Sequence, residues 1–241
     1  SSNRRTGQTA DLLASAFGAP YVNILRVRLP FPDTVCHRST ALQFSRPIMP
    51  HGIEFLERLL DAPGPSGFET QPASIWREEA GTFADDVRAD VTGNSVAFLN
   101  PGGNPRVMMA GHIDEIGLQV THIDEDGFLF FGEIGGWDSQ VLVAQRVTVL
   151  GRKGRVPGVI GKKPIHLLKK EEQDKATKVK DLWVDLGCGN REEVTELGIR
   201  VGDPMVLDTG IIRLAGDRIA SRAIDNRIGA YVVLEALRLL S

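Results

Sequence analysis

The chain has 241 residues, of which 42% are hydrophobic, and a formal net charge of −3. These values suit a globular protein of one large or two small domains, and they exclude the strongly basic surface that nucleic acid or an anionic membrane would favour. The two cysteines, Cys36 and Cys188, lack CxxC spacing, so no disulfide framework or zinc–thiolate site is predicted. No apolar run is long enough to span a membrane and no leader pattern occurs, so we expect a cytoplasmic protein.

Residues 1–50 show no sustained hydrophobic period and contain scattered prolines. We predict a poorly ordered extension here, in which residues 11–17 (DLLASAF) could form a short helix and residues 21–27 (YVNILRV) a strand. A targeting arm is the alternative, because the segment contains arginine and few acids.

Two helices are expected next. Apolar side chains at 53, 55, 56, 59 and 60 lie on one helical face, and the Pro- and Gly-rich residues 63–67 end that helix. A second helix is predicted over residues 71–84. Residues 94–100 (NSVAFLN) and 106–110 (RVMMA) read as two strands joined by a turn, the second of them buried.

A β-rich module is predicted over residues 119–219. A hairpin turns at residues 125–127, and short strands with Gly-rich punctuation follow, as in QRVTVLG, RVPGVIG, DLWVDLG, DPMVLDTG and IIRLAGDRIAS. A short helix with Asn190 as its N-cap interrupts them. The charged residues 168–180 predict a solvated loop.

The last predicted helix covers residues 225–241 and is apolar almost all round, which is typical of a buried helix. Asp225 and Asn226 would start it. Since little sequence follows to cover such a helix, we expect an α/β domain whose C-terminal part is missing and whose last helix has an uncovered apolar face. The fold class is therefore α/β, with a mixed sheet flanked by helices and an inserted small β-rich domain.

The stretch GHIDEIGLQV, residues 111–120, places an imidazole and two carboxylates where the predicted strand 106–110 ends. His112 and Asp114 are two residues apart, so on an extended backbone they lie on the same side. His112 could bind a metal while Asp114 fixes its tautomer, or the histidine could be merely hydrogen-bonded. Asp225 is either a second metal ligand or an N-cap.

The motifs LLDAPGPSGFE, GHIDEIGLQVTHIDEDGFL, IGGWDSQVL, QRVTVLGRKGRVPGVIGKKPIHLL, LGIRVGDPMVL and SRAIDNRIGA occur in this order. Together they resemble the glutamyl and deblocking aminopeptidases of peptidase family M42, which build tetrahedral twelve-subunit particles. The resemblance covers residues 52–241. It implies an incomplete catalytic domain of the phosphorylase/hydrolase-like kind, formed by residues 51–118 and 220–241, with residues 119–219 inserted as a dimerisation domain.

The resemblance also implies a site with two divalent metal ions, zinc or cobalt. His112 would bind one metal, Asp114 would be the catalytic residue that orients it, and Asp225 would bridge both metals. His166, Arg227 and Glu115 are candidates for a role near the substrate or behind the ligands. The family's general base and remaining ligands lie downstream of the DNR motif, where this sequence has only sixteen residues after Asp225.

Three functions remain open from the sequence. The first is a metal-dependent aminopeptidase that acts on peptides within a homo-oligomer. The second is an inactive fragment that retains only the assembly domain. The third is a glycoside hydrolase with paired carboxylates, an activity sometimes attributed to this family.

Overall fold

The computed structural model describes residues 23–26, 52–170, 175–216 and 218–241. The predictions made for the remainder of residues 1–51 lie outside this part. Five helices and eleven strands are labelled below in chain order.

Three helices form one layer of the molecule. They are α1 (Ile53–Asp61), α2 (Thr70–Ala80) and the last helix, α5 (Ile224–Arg238). The apolar face of α1 is buried as predicted, with Leu59 and Leu60 fully inaccessible. The Trp76 indole N–H donates to the Ala230 carbonyl at 3.0 Å, which ties α2 to α5. This hydrogen bond holds α5 against α2.

A two-stranded antiparallel hairpin lies beside these helices. Its strands are β2 (Asp86–Ala89) and β3 (Ser95–Phe98). A second small sheet joins β1 (Asn23–Arg26), β11 (Arg218–Ser221) and β10 (Ile212–Leu214) in the order β1–β11–β10. Residues 23–26 therefore pair as a strand, in line with the expectation for residues 21–27.

A closed six-stranded barrel forms the second layer, with the strand order β4–β5–β8–β7–β6–β9. The two short helices α3 (Ser139–Leu142) and α4 (Arg191–Glu196) lie between its strands in sequence. The barrel strands are β4 (Gly117–Ile123), β5 (Leu129–Ile134), β6 (Arg146–Gly151), β7 (Gly154–Lys162), β8 (Leu182–Asp185) and β9 (Pro204–Leu207).

The barrel has its own core, because alternate strand residues face inward. Fully buried members include Leu118, Leu129, Val147, Val149, Leu182 and Met205. Closure removes exposed sheet edges. The predicted hairpin and the N-cap are both confirmed: the Asn190 side chain accepts from the Glu193 backbone N–H at 2.9 Å. Strands β10 and β11, placed with the β-rich module from sequence, lie outside the barrel.

One prediction of burial is wrong. Residues 106–110 form no strand, and Val107 and Met108 are 80% and 90% exposed. Helix α5 buries one face, while Val232 and, just after the helix, Leu239 and Leu240 are exposed, so the apolar surface that we expected to be uncovered is present. An apolar run becomes a buried strand only when neighbouring strands and a covering layer are present, and the described residues supply no strand that pairs with 106–110. No helix in these described ranges has the length and apolar character needed to cross a membrane.

Candidate metal centre

Two distant segments meet where the charged stretch begins. An isolated parallel bridge joins Pro65 to Glu115. The Glu115 backbone N–H donates to the Gly64 carbonyl, and the Ser66 N–H donates to the Glu115 carbonyl, each at 3.1 Å. The turn that ends α1 therefore fixes the backbone immediately after Asp114.

His112 and Asp114 lie on the same side of this segment, as their spacing predicts. Asp114 Oδ1 lies 2.8 Å from His112 Nδ1. The other carboxylate oxygen, Oδ2, accepts a hydrogen bond from the Ser66 hydroxyl. When the carboxylate accepts a hydrogen bond from Nδ1–H, the free lone pair of the imidazole is on Nε2. The sequence analysis assigned no role to Ser66. The only feature of the sequence that could have pointed to it is its place in the motif LLDAPGPSGFE.

Asp225 faces the free nitrogen of His112. Its Oδ1 lies 3.7 Å from His112 Nε2, and its side chain is 74% exposed. Asp225 and Asn226 form a non-helical kink within α5, and the side chain that caps the turn after this kink is Asn226, whose Oδ1 accepts from the Gly229 backbone N–H at 2.8 Å. In the described chain the Asp225 carboxylate accepts no hydrogen bond, so both of its oxygens are available to a ligand.

Arg227 is fully buried and binds backbone rather than Asp225. Its Nε–H donates to the Ile113 carbonyl at 2.7 Å, and its Nη1 donates to the carbonyls of Leu59 and Ala62. Its Nη2 contacts Glu115 Oε1 at 3.1 Å. One side chain thus connects α5, the end of α1 and the His112–Asp114 segment.

Glu115 is also buried and lies behind the ligands. Its Oε1 accepts from Arg222 at 2.5 Å, from Arg227 and from the Gly64 N–H at 2.9 Å. A buried carboxylate needs such partners to remain charged. Glu115 therefore pairs with two guanidinium groups behind the site.

Burial and hydrogen bonding shift two pKa values here. Burial lowers the pKa of Arg227 to about 10, although Glu115 opposes the shift, so Arg227 stays charged at neutral pH. For Asp114, burial favours the neutral acid, but the hydrogen bonds from Ser66 and His112 and the attraction of His112 outweigh it. The pKa of Asp114 is therefore below its ordinary value, and the carboxylate is ionised at neutral pH.

His166 lies on a separate element, the 3-10 turn Ile165–Leu167 after β7, and it is exposed. No hydrogen bond or ion pair within the described ranges links it to His112, Asp114 or Asp225. The structure therefore brings five of the six candidate residues together. The side chains of His112, Asp114 and Asp225 lie at the surface of the site, and those of Glu115 and Arg227 are buried beneath them.

The donors present fit part of a metal site. One imidazole nitrogen and one free carboxylate face the same space, and both are good ligands for zinc or cobalt. A closed coordination sphere needs four or more donors, and among the described residues no three His, Cys, Asp or Glu side chains gather into one such group. His112 and Asp225 are thus two donors of an incomplete set.

Residues 93–241 match the family model described as M42 glutamyl aminopeptidase. A lysyl aminopeptidase of Pyrococcus furiosus is 36% identical over 190 residues, which cover 78% of this chain and 54% of that protein. The chain spans about half the length of the curated relatives it matches.

Solved structures agree with this comparison. A TET aminopeptidase from a marine sediment Thaumarchaeota archaeon has a TM-score of 0.75 and 40% identity, covering 78% of this chain and 53% of that one. The Pyrococcus horikoshii TET1 peptidase, described as able to assemble into a tetrahedron or a large octahedral shell, has a TM-score of 0.69 and 34% identity. The match covers 77% of this chain and 55% of that structure.

Proposed function

Because this chain belongs to the M42 glutamyl aminopeptidase family, we propose that it carries part of the active site of a metal-dependent aminopeptidase. The observation that supports this most directly is the orientation of His112. Its Nδ1 is held by Asp114 while its Nε2 faces the free carboxylate of Asp225 at 3.7 Å. A histidine that only stabilised the fold would need no exposed carboxylate opposite its second nitrogen.

Under this proposal His112 Nε2 and Asp225 would hold divalent metal, zinc or cobalt. The metal would supply an activated water and polarise the peptide carbonyl. The chain's own residues supply orientation. Asp114 keeps His112 in the ligand tautomer, and Arg227 fixes the backbone between them.

Catalysis also requires a general base and further ligands. The described residues bring neither to His112 and Asp225, so the inactive-fragment alternative remains in the proposal. Glycoside hydrolysis has less support, because it needs two available carboxyl groups separated by roughly 5 to 10 Å. Here Asp114 is engaged by Ser66 and His112.

The proposed partners are peptide substrates and other copies of the chain. The TET1 relative's described assembly supports a homo-oligomer. We propose residues 119–219 as the dimerisation module and residues 51–118 and 220–241 as the catalytic part. His166 is proposed to approach the substrate, since its exposed position on the barrel side leaves it free to do so. The cysteine pattern supports a cytoplasmic location.

Metal content and activity together test the proposal. Elemental analysis of the purified chain after loading with zinc should show bound metal, and His112→Ala should abolish it. His122→Ala is the matched control, because His122 is an exposed histidine on strand β4. Equal metal content in the wild type and in His112→Ala would refute the assignment. Hydrolysis of aminoacyl anilides then separates a working enzyme from an inactive fragment.

A further inference from the structure

We propose that Ser66 is a positioning residue for the metal ligand His112, acting through Asp114. The inference rests on the proposed function and adds a residue to it. The Ser66 hydroxyl donates to Asp114 Oδ2, and Asp114 Oδ1 lies 2.8 Å from His112 Nδ1. The three side chains form a continuous chain of hydrogen bonds that ends at His112 Nε2, opposite Asp225.

Each end of Asp114 is engaged by a different partner. A carboxylate with only one hydrogen bond can rotate about its terminal torsion, which is broad and nearly two-fold. With Ser66 on Oδ2, the carboxylate plane is fixed and Oδ1 stays directed at the imidazole. Ser66 therefore governs how firmly the Nδ1 proton, and with it the Nε2 lone pair, is held in place.

The turn that carries Ser66 is anchored independently of its hydroxyl. The Ser66 backbone N–H binds the Glu115 carbonyl at 3.1 Å, and the Phe68 N–H binds the Pro65 carbonyl at 2.8 Å. Gly64 is packed against Pro72 and Arg227 so closely that a Cβ there would lie 2.5 Å and 2.9 Å from them. The backbone thus presents the hydroxyl rigidly, and removal of the hydroxyl alone should leave the turn intact.

Ser66 is exposed. A hydroxyl retained for stability alone would bind a buried group or cap a helix. Its hydrogen-bond acceptor is instead Asp114, the carboxylate that lies 2.8 Å from Nδ1 of the proposed ligand His112. This geometry favours a role in orienting His112.

The experiment compares Ser66→Ala with Ser66→Thr and with the control Ser74→Ala. Ser74 donates to Glu78 at 2.9 Å on helix α2, so the control removes a serine–carboxylate hydrogen bond remote from His112. The first measurement is the tautomer of His112 in the metal-free protein, read from imidazole ¹⁵N chemical shifts at a pH where the ring is neutral. The second is the affinity for Co²⁺ by absorption titration.

We expect Ser66→Ala to reduce the Nδ1–H tautomer of His112 and to weaken Co²⁺ binding by about tenfold or more, as for other partners of metal ligands. Ser66→Thr and Ser74→Ala should resemble the wild type. Wild-type tautomer and affinity in Ser66→Ala would overturn the inference. If circular dichroism shows that Ser66→Ala is unfolded, Ser66→Cys replaces it, because a thiol is a weak donor of similar size.

The Co²⁺ titration of the wild type tests the proposed function separately from the role of Ser66. If the wild type binds no Co²⁺, the metal assignment fails. The tautomer comparison then decides the role of Ser66 alone: a shift in Ser66→Ala supports positioning of His112, and no shift overturns it.

Discussion

At the scale of single residues, Arg227 does the most to join the parts of the site. Its guanidinium is fully buried, and its hydrogen bonds reach Ile113, Leu59, Ala62 and Glu115. The sequence made Arg227 only a candidate for a role near the substrate or behind the ligands. Such a network is invisible in a pattern of spacing, because three of these four acceptors are backbone carbonyls that any residue type provides.

Replacement of Arg227 by methionine should destabilise the protein strongly. It removes one of the two guanidinium groups that bind Glu115 and leaves several buried carbonyls without donors, a combination that typically costs about 3 to 5 kcal/mol. Urea unfolding followed by circular dichroism measures the free energy of unfolding. Arg58→Met is the control, since the Arg58–Glu79 pair is half exposed and should contribute less than about 1 kcal/mol. Equal losses in the two variants would contradict the structural role of Arg227.

Cys188 gives a second prediction at this scale. Burial raises the pKa of its thiol, and the negative charges of Glu193 and Asp185 raise it further. Less thiolate is then present at pH 8, so alkylation by iodoacetamide in a Cys36→Ser background should be slower than for glutathione. Glu193→Gln should accelerate the reaction, whereas Glu192→Gln should not. A rate at or above that of glutathione would show that the thiolate is not suppressed.

At the scale of elements, the strength of the local signal decided which predictions were correct. Helix α1 was predictable because its apolar face and its Pro–Gly terminator are both local in sequence. The β4–β5 hairpin and the Asn190 cap were predictable for the same reason. The conformation of residues 106–110 was not predictable in this way. Their apolar character shows that burial would be favourable, but it does not show whether neighbouring strands are present to pair with them. The predicted start of the last helix was nearly correct: α5 begins at Ile224, one residue before the predicted Asp225, and Asn226 makes the cap hydrogen bond after the kink.

The contact between α5 and the segment before His112 can be tested through Gly111. A Cβ on Gly111 would lie 2.7 Å from the Ala230 backbone nitrogen and 2.8 Å from the Gly229 carbonyl carbon. Backbone atoms in a helix cannot move aside easily, so Gly111→Ala should destabilise the protein by about 1 to 3 kcal/mol. Gly136→Ala is the control, because nothing lies within 4 Å of a Cβ there. Thermal unfolding of both variants gives the comparison; a neutral Gly111→Ala would mean that the segment and helix are not packed this closely.

At the scale of the whole molecule, the barrel and the helical layer differ in how completely they are covered. The barrel closes on itself around a core of fully buried side chains. The helical layer instead leaves a cleft of about 970 Å³ between residues 105–114, the β2–β3 hairpin and helix α5. Fold class and the β-rich module could be predicted from strand spacing, whereas this cleft could not, because it depends on which elements are packed side by side.

The cleft should bind a hydrophobic dye, since exposed apolar surface of this kind is what such dyes detect. Val107 and Met108 are almost fully exposed beside it. We expect the folded protein to enhance anilinonaphthalene sulfonate fluorescence, and the double variant Val107→Ser, Met108→Ser to reduce that enhancement while the circular dichroism spectrum is unchanged. Leu167→Ser removes an exposed apolar side chain on the barrel side and should leave dye binding nearly unchanged. If Leu167→Ser lowers the signal and the double variant does not, the exposed apolar surface lies on the barrel and the helical layer is covered after all.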